Sequence, residues 1–172
     1  MGPKGRVIAC EPSPTVLPET RWHFEHNSVH NVTLIEVALA DQPGIASFDT
    51  QALSTTGKLA ESVTSPGSTL TEVKVTTLDR MVAEQGISSV SLIKVDVEGA
   101  ESRVLVGATD TLARLRPRLI VELHNPEQDL LVSRLLRDAG YRLTRLDGSE
   151  IRKPDCGWPD RDGVWGTIIA HP

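Results

Sequence analysis

Ser91-Leu92-Ile93-Lys94-Val95-Asp96-Val97-Glu98-Gly99-Ala100-Glu101 is the stretch that decides the fold of this 172-residue chain. An apolar strand runs straight into a carboxylate, a glycine and the start of a helix, which is how an open α/β sheet presents a ligand at its strand tips. A second junction of the same kind stands at Arg6-Val7-Ile8-Ala9-Cys10-Glu11-Pro12, where a β-rich run ends in an acid and a proline. Two acidic strand ends of this form suggest one shared crevice.

Working outward, residues 14–27 read as a helix capped by Ser13 and carrying Leu17, Trp22 and Phe24. Residues 32–37 form the next strand, Asp41-Gln42-Pro43-Gly44 a turn, and residues 45–49 a half-exposed strand that opens a hairpin extension. The Ser/Thr/Gly-rich residues 50–71 read as a long loop of the kind that covers a substrate. A strand at 72–75 leads to a helix at 77–85, with Thr76 as cap, Asp79 as its capping-box partner and Gly86 as its end. The strand at 90–95 is broken only by Lys94, whose ammonium must snorkel or pair, and a short helix follows on Ala100, Val104 and Leu105.

After the strand at 119–123, Asn125-Pro126-Glu127-Gln128 supplies a cap, a first-turn proline and a reciprocal amide for a helix with Leu131, Leu135 and Ala139 as its stripe. Gly140 closes that helix, and strands at 141–146 and 164–170 flank a Pro/Asp/Gly-rich loop. Alternating strands and helices predict an α/β fold with a mostly parallel sheet. The two final strands, with no helix between them, predict an antiparallel C-terminal end.

These junctions, with Thr76-Thr77-Leu78-Asp79 and Val121-Glu122-Leu123-His124, resemble in order and spacing the FkbM-type S-adenosylmethionine-dependent methyltransferases. The resemblance runs from about Gly5 to Leu146, and is sharpest at Ile-Lys-Val-Asp-Val-Glu-Gly-Ala-Glu. It implies a Rossmann-like methyltransferase sheet in a single domain over 1–172, with residues 41–76 as a hairpin and loop insertion. It also implies that the first strand and helix are missing, with the glycine-rich Asp-x-Gly-Ala-x-x-Gly turn. Gly2-Pro3-Lys4-Gly5 then leads into the second strand, and two central strand edges would lie open, sticky or ready for another chain.

The resemblance assigns Glu11 to the ribose of S-adenosylmethionine. As a bare residue it is also a solvated acid beside Pro12. Asp96 would orient the methionine part of the cofactor or the acceptor hydroxyl, and it also suits a helix cap. Glu98 and Glu101 stand at a helix start, where negative charge contributes about 0.5 kcal/mol each; Glu98 lies nearer the cleft and Glu101 reads as structural. Gly99 permits a positive φ or a close backbone approach. His124 is either the base that removes a hydroxyl proton or a histidine bonding nearby backbone.

No metal is expected: His23, His26 and His30 have helical spacing but no carboxylate or cysteine of ligand spacing, and a solvated face is the simpler reading. Cys10 and Cys156 read as reduced structural thiols, and Trp158 and Trp165 as packing. A net charge of -5, with no long basic run, argues against nucleic acid as a partner. Aromatic residues at 3% leave an aliphatic core. No stretch reaches the roughly 18 apolar residues of a membrane span, so a cytoplasmic location is expected.

The expected function is O-methylation of a small-molecule or glycan acceptor, a hydroxyl on a sugar, lipid or secondary metabolite. The alternative is a non-catalytic remnant or interaction protein, forming an oligomer or completing its sheet with a partner chain. A nicotinamide oxidoreductase would need a GxGxxG turn that the sequence lacks.

Overall fold

The computed structural model describes residues 5–50, 57–59, 70–149 and 166–172. The chain divides into two compact units: residues up to Leu39 with Pro43–Thr76, and Ala40–Gln42 with Thr77–Pro172.

The first unit opens with β1 (Val7–Cys10), α1 (Leu17–His26) and β2 (Val32–Ile35). β1 and β2 pair in parallel with Val7 opposite Val32, so the helix is the crossover of a βαβ unit. α1 departs from expectation at its start. Its N-cap is Val16 with no side-chain cap, because Ser13 contributes its carbonyl to the amides of Val16 and Leu17 while its hydroxyl meets Thr15 Oγ1. Leu17 is buried, but Trp22 is 51% exposed and stacks on His26, so it is not a core residue. Cys10 is a free thiol whose pKa burial pushes up to about 11.

A second sheet in this unit has the order β3 (Ala38–Leu39), β6 (Leu70–Thr76), β4 (Gly44–Thr50), β5 (Gly57–Leu59). β4 pairs antiparallel with both β5 and β6, which places a hairpin extension where the alternation at residues 45–49 predicted one. Part of the expected loop is therefore strand, at β5 and at residues 50 and 70–71 in β4 and β6; the rest of it, residues 51–56 and 60–69, lies outside the described residues. So do Gly2 to Lys4, the Pro/Asp/Gly-rich stretch 150–165, Cys156, Trp158 and Trp165. Phe48, Val73 and Val75 are buried in this sheet.

The second unit runs α2 (Leu78–Glu84), β7 (Leu92–Val95), α3 (Glu101–Val106), α4 (Thr109–Leu115), β8 (Arg118–Glu122), α5 (Pro126–Asp138), β9 (Arg142–Thr144) and β10 (Thr167–His171). Its sheet has the order β7-β8-β10-β9, with β7 and β8 parallel and β10 antiparallel to both neighbours, as the helix-free final pair predicted. The core is aliphatic: Val95, Val104, Leu105, Leu119, Val121, Leu123, Val132, Leu136, Leu143 and Ile168 are all buried.

Capping in this unit reaches across the fold. Thr77, not Thr76, caps α2, since Thr76 stays in β6 and only Thr77 Oγ1 reaches the Arg80 amide at 3.1 Å. Asp79 makes no capping box within α2. Its carboxylate accepts the amides of Asp110 and Thr111 at 2.9 and 2.7 Å, capping α4, whose own N-cap Ala108 has no polar side chain. Asp79→Ala is expected to cost about 1–2 kcal/mol, read as a lower melting temperature and faster amide exchange at residues 110–112; unchanged exchange there would refute it.

Asn125 caps α5 as predicted, its Oδ1 accepting the Gln128 amide at 2.9 Å. The reciprocal bond does not form, because Gln128 Oε1 instead accepts the Ser102 amide of α3 at 2.8 Å. The buried face of α5 holds Gln128, Val132 and Leu136, while Leu131 and Leu135 are half-buried. The aliphatic spacing pointed one residue away from the true stripe, because hydrogen-bonded Gln128, Asp129 and Ser133 occupy part of it. Gly86 and Gly140, at φ +60° and +78°, end their helices as expected. Among the described residues no helix is long and apolar enough to cross a membrane.

Candidate active site

The C-terminal tips of the parallel pair β7 and β8 carry the chemistry of the second unit. Asp96 follows β7 directly, and His124 follows β8 by one residue after Leu123. Between Asp96 and α3 the backbone takes two left-handed residues, Glu98 at φ +52° and Gly99 at φ +99°. The positive φ expected of Gly99 is therefore present, and a side chain added there would meet Asn125 Nδ2 at 3.5 Å.

Asp96 is not a helix cap. The N-cap of α3 is Ala100, which makes no side-chain cap bond, and Asp96 instead accepts from Lys94 Nζ at 2.7 Å through Oδ2. Lys94 also lies 3.8 Å from Glu122 Oε2, so the lone charge within the strand is paired, and its bond to Asp96 raises its pKa above the usual lysine value.

His124 bonds a side chain, not backbone. Its Nδ1 lies 2.6 Å from Glu101 Oε1, which also accepts the Gly99 amide at 2.9 Å. A carboxylate has no proton to give, so Nδ1–H donates, and in the neutral ring the lone pair lies on Nε2. That nitrogen faces Asp96 Oδ1 and Glu98 Oε2, each at 3.6 Å. Asp96, Glu98 and His124 are partly accessible, with side chains 37%, 33% and 21% exposed, whereas Glu101 is fully buried.

The structure thus brings Asp96, Glu98, Gly99 and His124 together, and Lys94 and Glu101 join them. Glu101 was read from sequence as structural, although its position five residues after Asp96 was the available signal. Glu11 belongs to the first unit. Its Oε1 accepts the Ser13 amide at 2.7 Å, steadying the turn into α1. His23 and His26 lie exposed on α1, His23 near Glu19 and His26 Nδ1 against the Trp22 carbonyl, and His30 is exposed after it.

The Methyltransferase FkbM domain model matches residues 1–143. The chain is 30% identical over 128 residues, 66% of its length, to 2-O-methyltransferase NoeI of Sinorhizobium fredii, of which that match covers 52%. It is 28% identical over 149 residues, 86% of its length, to hexuronic acid methyltransferase AglP of Haloferax volcanii, of which 60% is covered. Over 74 residues it is 39% identical to 31-O-demethyl-FK506 methyltransferase FkbM of Streptomyces tacrolimicus, covering 42% of this chain and 28% of that protein. The chain therefore spans about half the length of NoeI. Its fold is similar to the crystal structure of methyltransferase FkbM from Methylobacillus flagellatus, with TM-score 0.61, 17% identity, and coverage of 97% of this chain and 36% of that one. With the acid-glycine-acid turn after β7 and the histidine after β8 now placed on that fold, the chain belongs to the FkbM methyltransferase family.

Proposed function

We propose that the chain is the part of an S-adenosylmethionine-dependent O-methyltransferase that carries the acceptor-handling residues, on a Rossmann-like sheet. The observation that carries this reading is the placement of His124 Nε2 between Asp96 and Glu98 at the tips of β7 and β8. The 2-O-methyltransferase NoeI and the 31-O-demethyl-FK506 methyltransferase FkbM support a hydroxyl acceptor, and the hexuronic acid methyltransferase AglP supports a sugar one.

The residues suit a ribose and an amino acid: Glu11 has one oxygen on Ser13 and a second for a hydroxyl, Asp96 is accessible, and Gly99 lets a ligand approach the backbone. When bound, the cofactor supplies a sulfonium methyl, which forms a bond to the acceptor oxygen as its bond to sulfur breaks. Within the second unit Asp96, Glu98 and Gly99 are proposed to hold the cofactor's amino-acid end and the acceptor, while the role of Glu11 at the ribose is proposed from the family pattern alone. His124 takes the hydroxyl proton on Nε2, with Glu101 fixing the ring and stabilising the imidazolium that forms.

Calorimetric titration of the 172-residue chain with S-adenosylmethionine and S-adenosylhomocysteine tests the binding. Saturable binding, weakened at least tenfold in Glu11→Ala and Asp96→Ala, is expected. Binding that both substitutions leave unchanged would remove these residues from the site.

A further inference from the structure

We propose that Asp96, Glu98 and His124 bind a first-row divalent cation, with Glu101 as the carboxylate that orients the histidine ligand. One oxygen or nitrogen from each of the three residues lies within 4.8 Å of the other two. The two distances from Nε2, both 3.6 Å, are too long for hydrogen bonds but near the separation of atoms sharing one ion at about 2.1 Å, which stand about 3–3.5 Å apart. Asp96 and Glu98 are accessible enough to close the remaining gap by side-chain rotation.

Acceptors converge on the ring here, and among the described residues no other side chain donates between them. Asp96 spends Oδ2 on Lys94 and turns Oδ1 toward His124, whose Nδ1 proton is committed to Glu101. Among the described residues, Asp96, Glu98, Glu101 and Glu122 set four carboxylates against one ammonium, that of Lys94, so a positive charge is wanted where they meet.

An independent observation comes from Glu101. Its side chain is fully buried, it grips Nδ1 through Oε1, and its Oε2 has no hydrogen-bond partner among the described residues. Burying a carboxylate is costly unless it is paired and its remaining lone pairs are satisfied, and among the described residues those of Oε2 are not. A carboxylate on one nitrogen that fixes the tautomer for a ligand on the other is the usual support of a metal-bound imidazole. One imidazole and two carboxylates suit Mn2+, Fe2+ or Zn2+ better than Ca2+.

The cation's role rests on the methyl-transfer reading, but its binding does not. In its open positions it would take the acceptor hydroxyl and lower that group's pKa. The Nε2 lone pair then serves as ligand, and the hydroxyl proton passes to water or to a neighbouring carboxylate oxygen. His124 acts as base only where the cation is absent.

The test is titration of the full chain with MnCl2, followed by electron paramagnetic resonance, without acceptor or methyl donor. One Mn2+ per chain is expected, with nitrogen coupling from one imidazole. Glu98→Gln, which changes a partly accessible side chain and so spares the core, should weaken binding at least tenfold. Glu101→Gln, which replaces no ligand but alters the group that orients His124, should weaken it about 10–100-fold. No bound Mn2+ at millimolar concentration, affinity equal in wild type and Glu98→Gln, or bound Mn2+ without nitrogen coupling overturns the proposal. Calorimetry with the methyl donor in the absence of Mn2+ reads the methyl-transfer proposal separately, so either can fail alone.

Discussion

Gly107→Ala is expected to lower the melting temperature of the chain by about 6–12 °C. Gly107 closes α3 with φ -74°, which alanine adopts freely, so the cost is steric. A Cβ built there lies 2.1 Å from the Ala40 carbonyl oxygen, 3.1 Å from its carbonyl carbon and 3.2 Å from Thr77 Cβ. Two of these atoms are backbone. Neither neighbour can yield alone, since Ala40 is fully buried and the Gly107 carbonyl accepts the Asp79 amide at 2.9 Å. Overpacking of this kind costs about 3 kcal/mol, and each kcal/mol moves the midpoint by about 2–4 °C in a chain of this size. Gly44→Ala is the control, because nothing lies within 4 Å of its added Cβ. Equal midpoints for the two variants in differential scanning calorimetry would refute the clash.

The second large effect falls on His124. His124→Ala should cut methyl transfer about 10²–10⁴-fold, the usual contribution of a positioned proton-transfer group. It should also destabilise the fold by about 3 kcal/mol, because it strips the donor from a carboxylate that is fully buried. Glu101→Leu separates the two consequences. A hydrophobic residue of similar size removes the buried charge but leaves His124 Nδ1–H and the Gly99 amide without their acceptor, so this variant alone should cost about 1–2 kcal/mol, less than His124→Ala, while transfer falls. Combined with His124→Ala, it should recover most of the lost stability and none of the activity. Turnover unchanged in His124→Ala would remove the residue from the mechanism. A double variant as unstable as the single one would show that the cost does not come from the stranded carboxylate.

The parts of this fold that were legible in the sequence are those whose signals are local. The strand-acid-glycine-helix block at 92–101 could be read because the apolar run, the left-handed Gly99 and the helix start lie within ten residues. Asn125 and Pro126 announced α5 for the same reason. α4 was missed. Its cap comes from Asp79, 31 residues upstream of Asp110, and its own N-cap, Ala108, has no polar side chain to cap with. The reciprocal amide expected of Gln128 failed similarly, since Ser102 competes for it from 26 residues away.

The candidate site was half legible. Asp96 and His124 announced themselves by standing at strand ends, but Glu101 has the same first-turn signature as any helix-starting acid. Only burial and the bond to Nδ1 distinguish its role, and both depend on α3 lying where Glu101 meets His124, two residues beyond β8. The assignment of Glu11 rests on its strand-end position and the family pattern, and its bond to Ser13 is a local turn contact that any acid at this point would make.

The Gln128 side chain that reaches the Ser102 amide gives the site a second property. Helix initiation at α3 depends on a group supplied by the first turn of α5, while the residues just before α3 carry Glu98 and Gly99 in their left-handed turn. Fraying of α5 therefore uncovers an amide of α3 and loosens the backbone on which Glu98 is mounted. The geometry between Asp96 and His124 should be lost in one cooperative step, with the Ser102 and Gln128 amides exchanging at a common rate. Substitutions along the distant face of α5 would then tune how often the site is assembled without altering any atom in it.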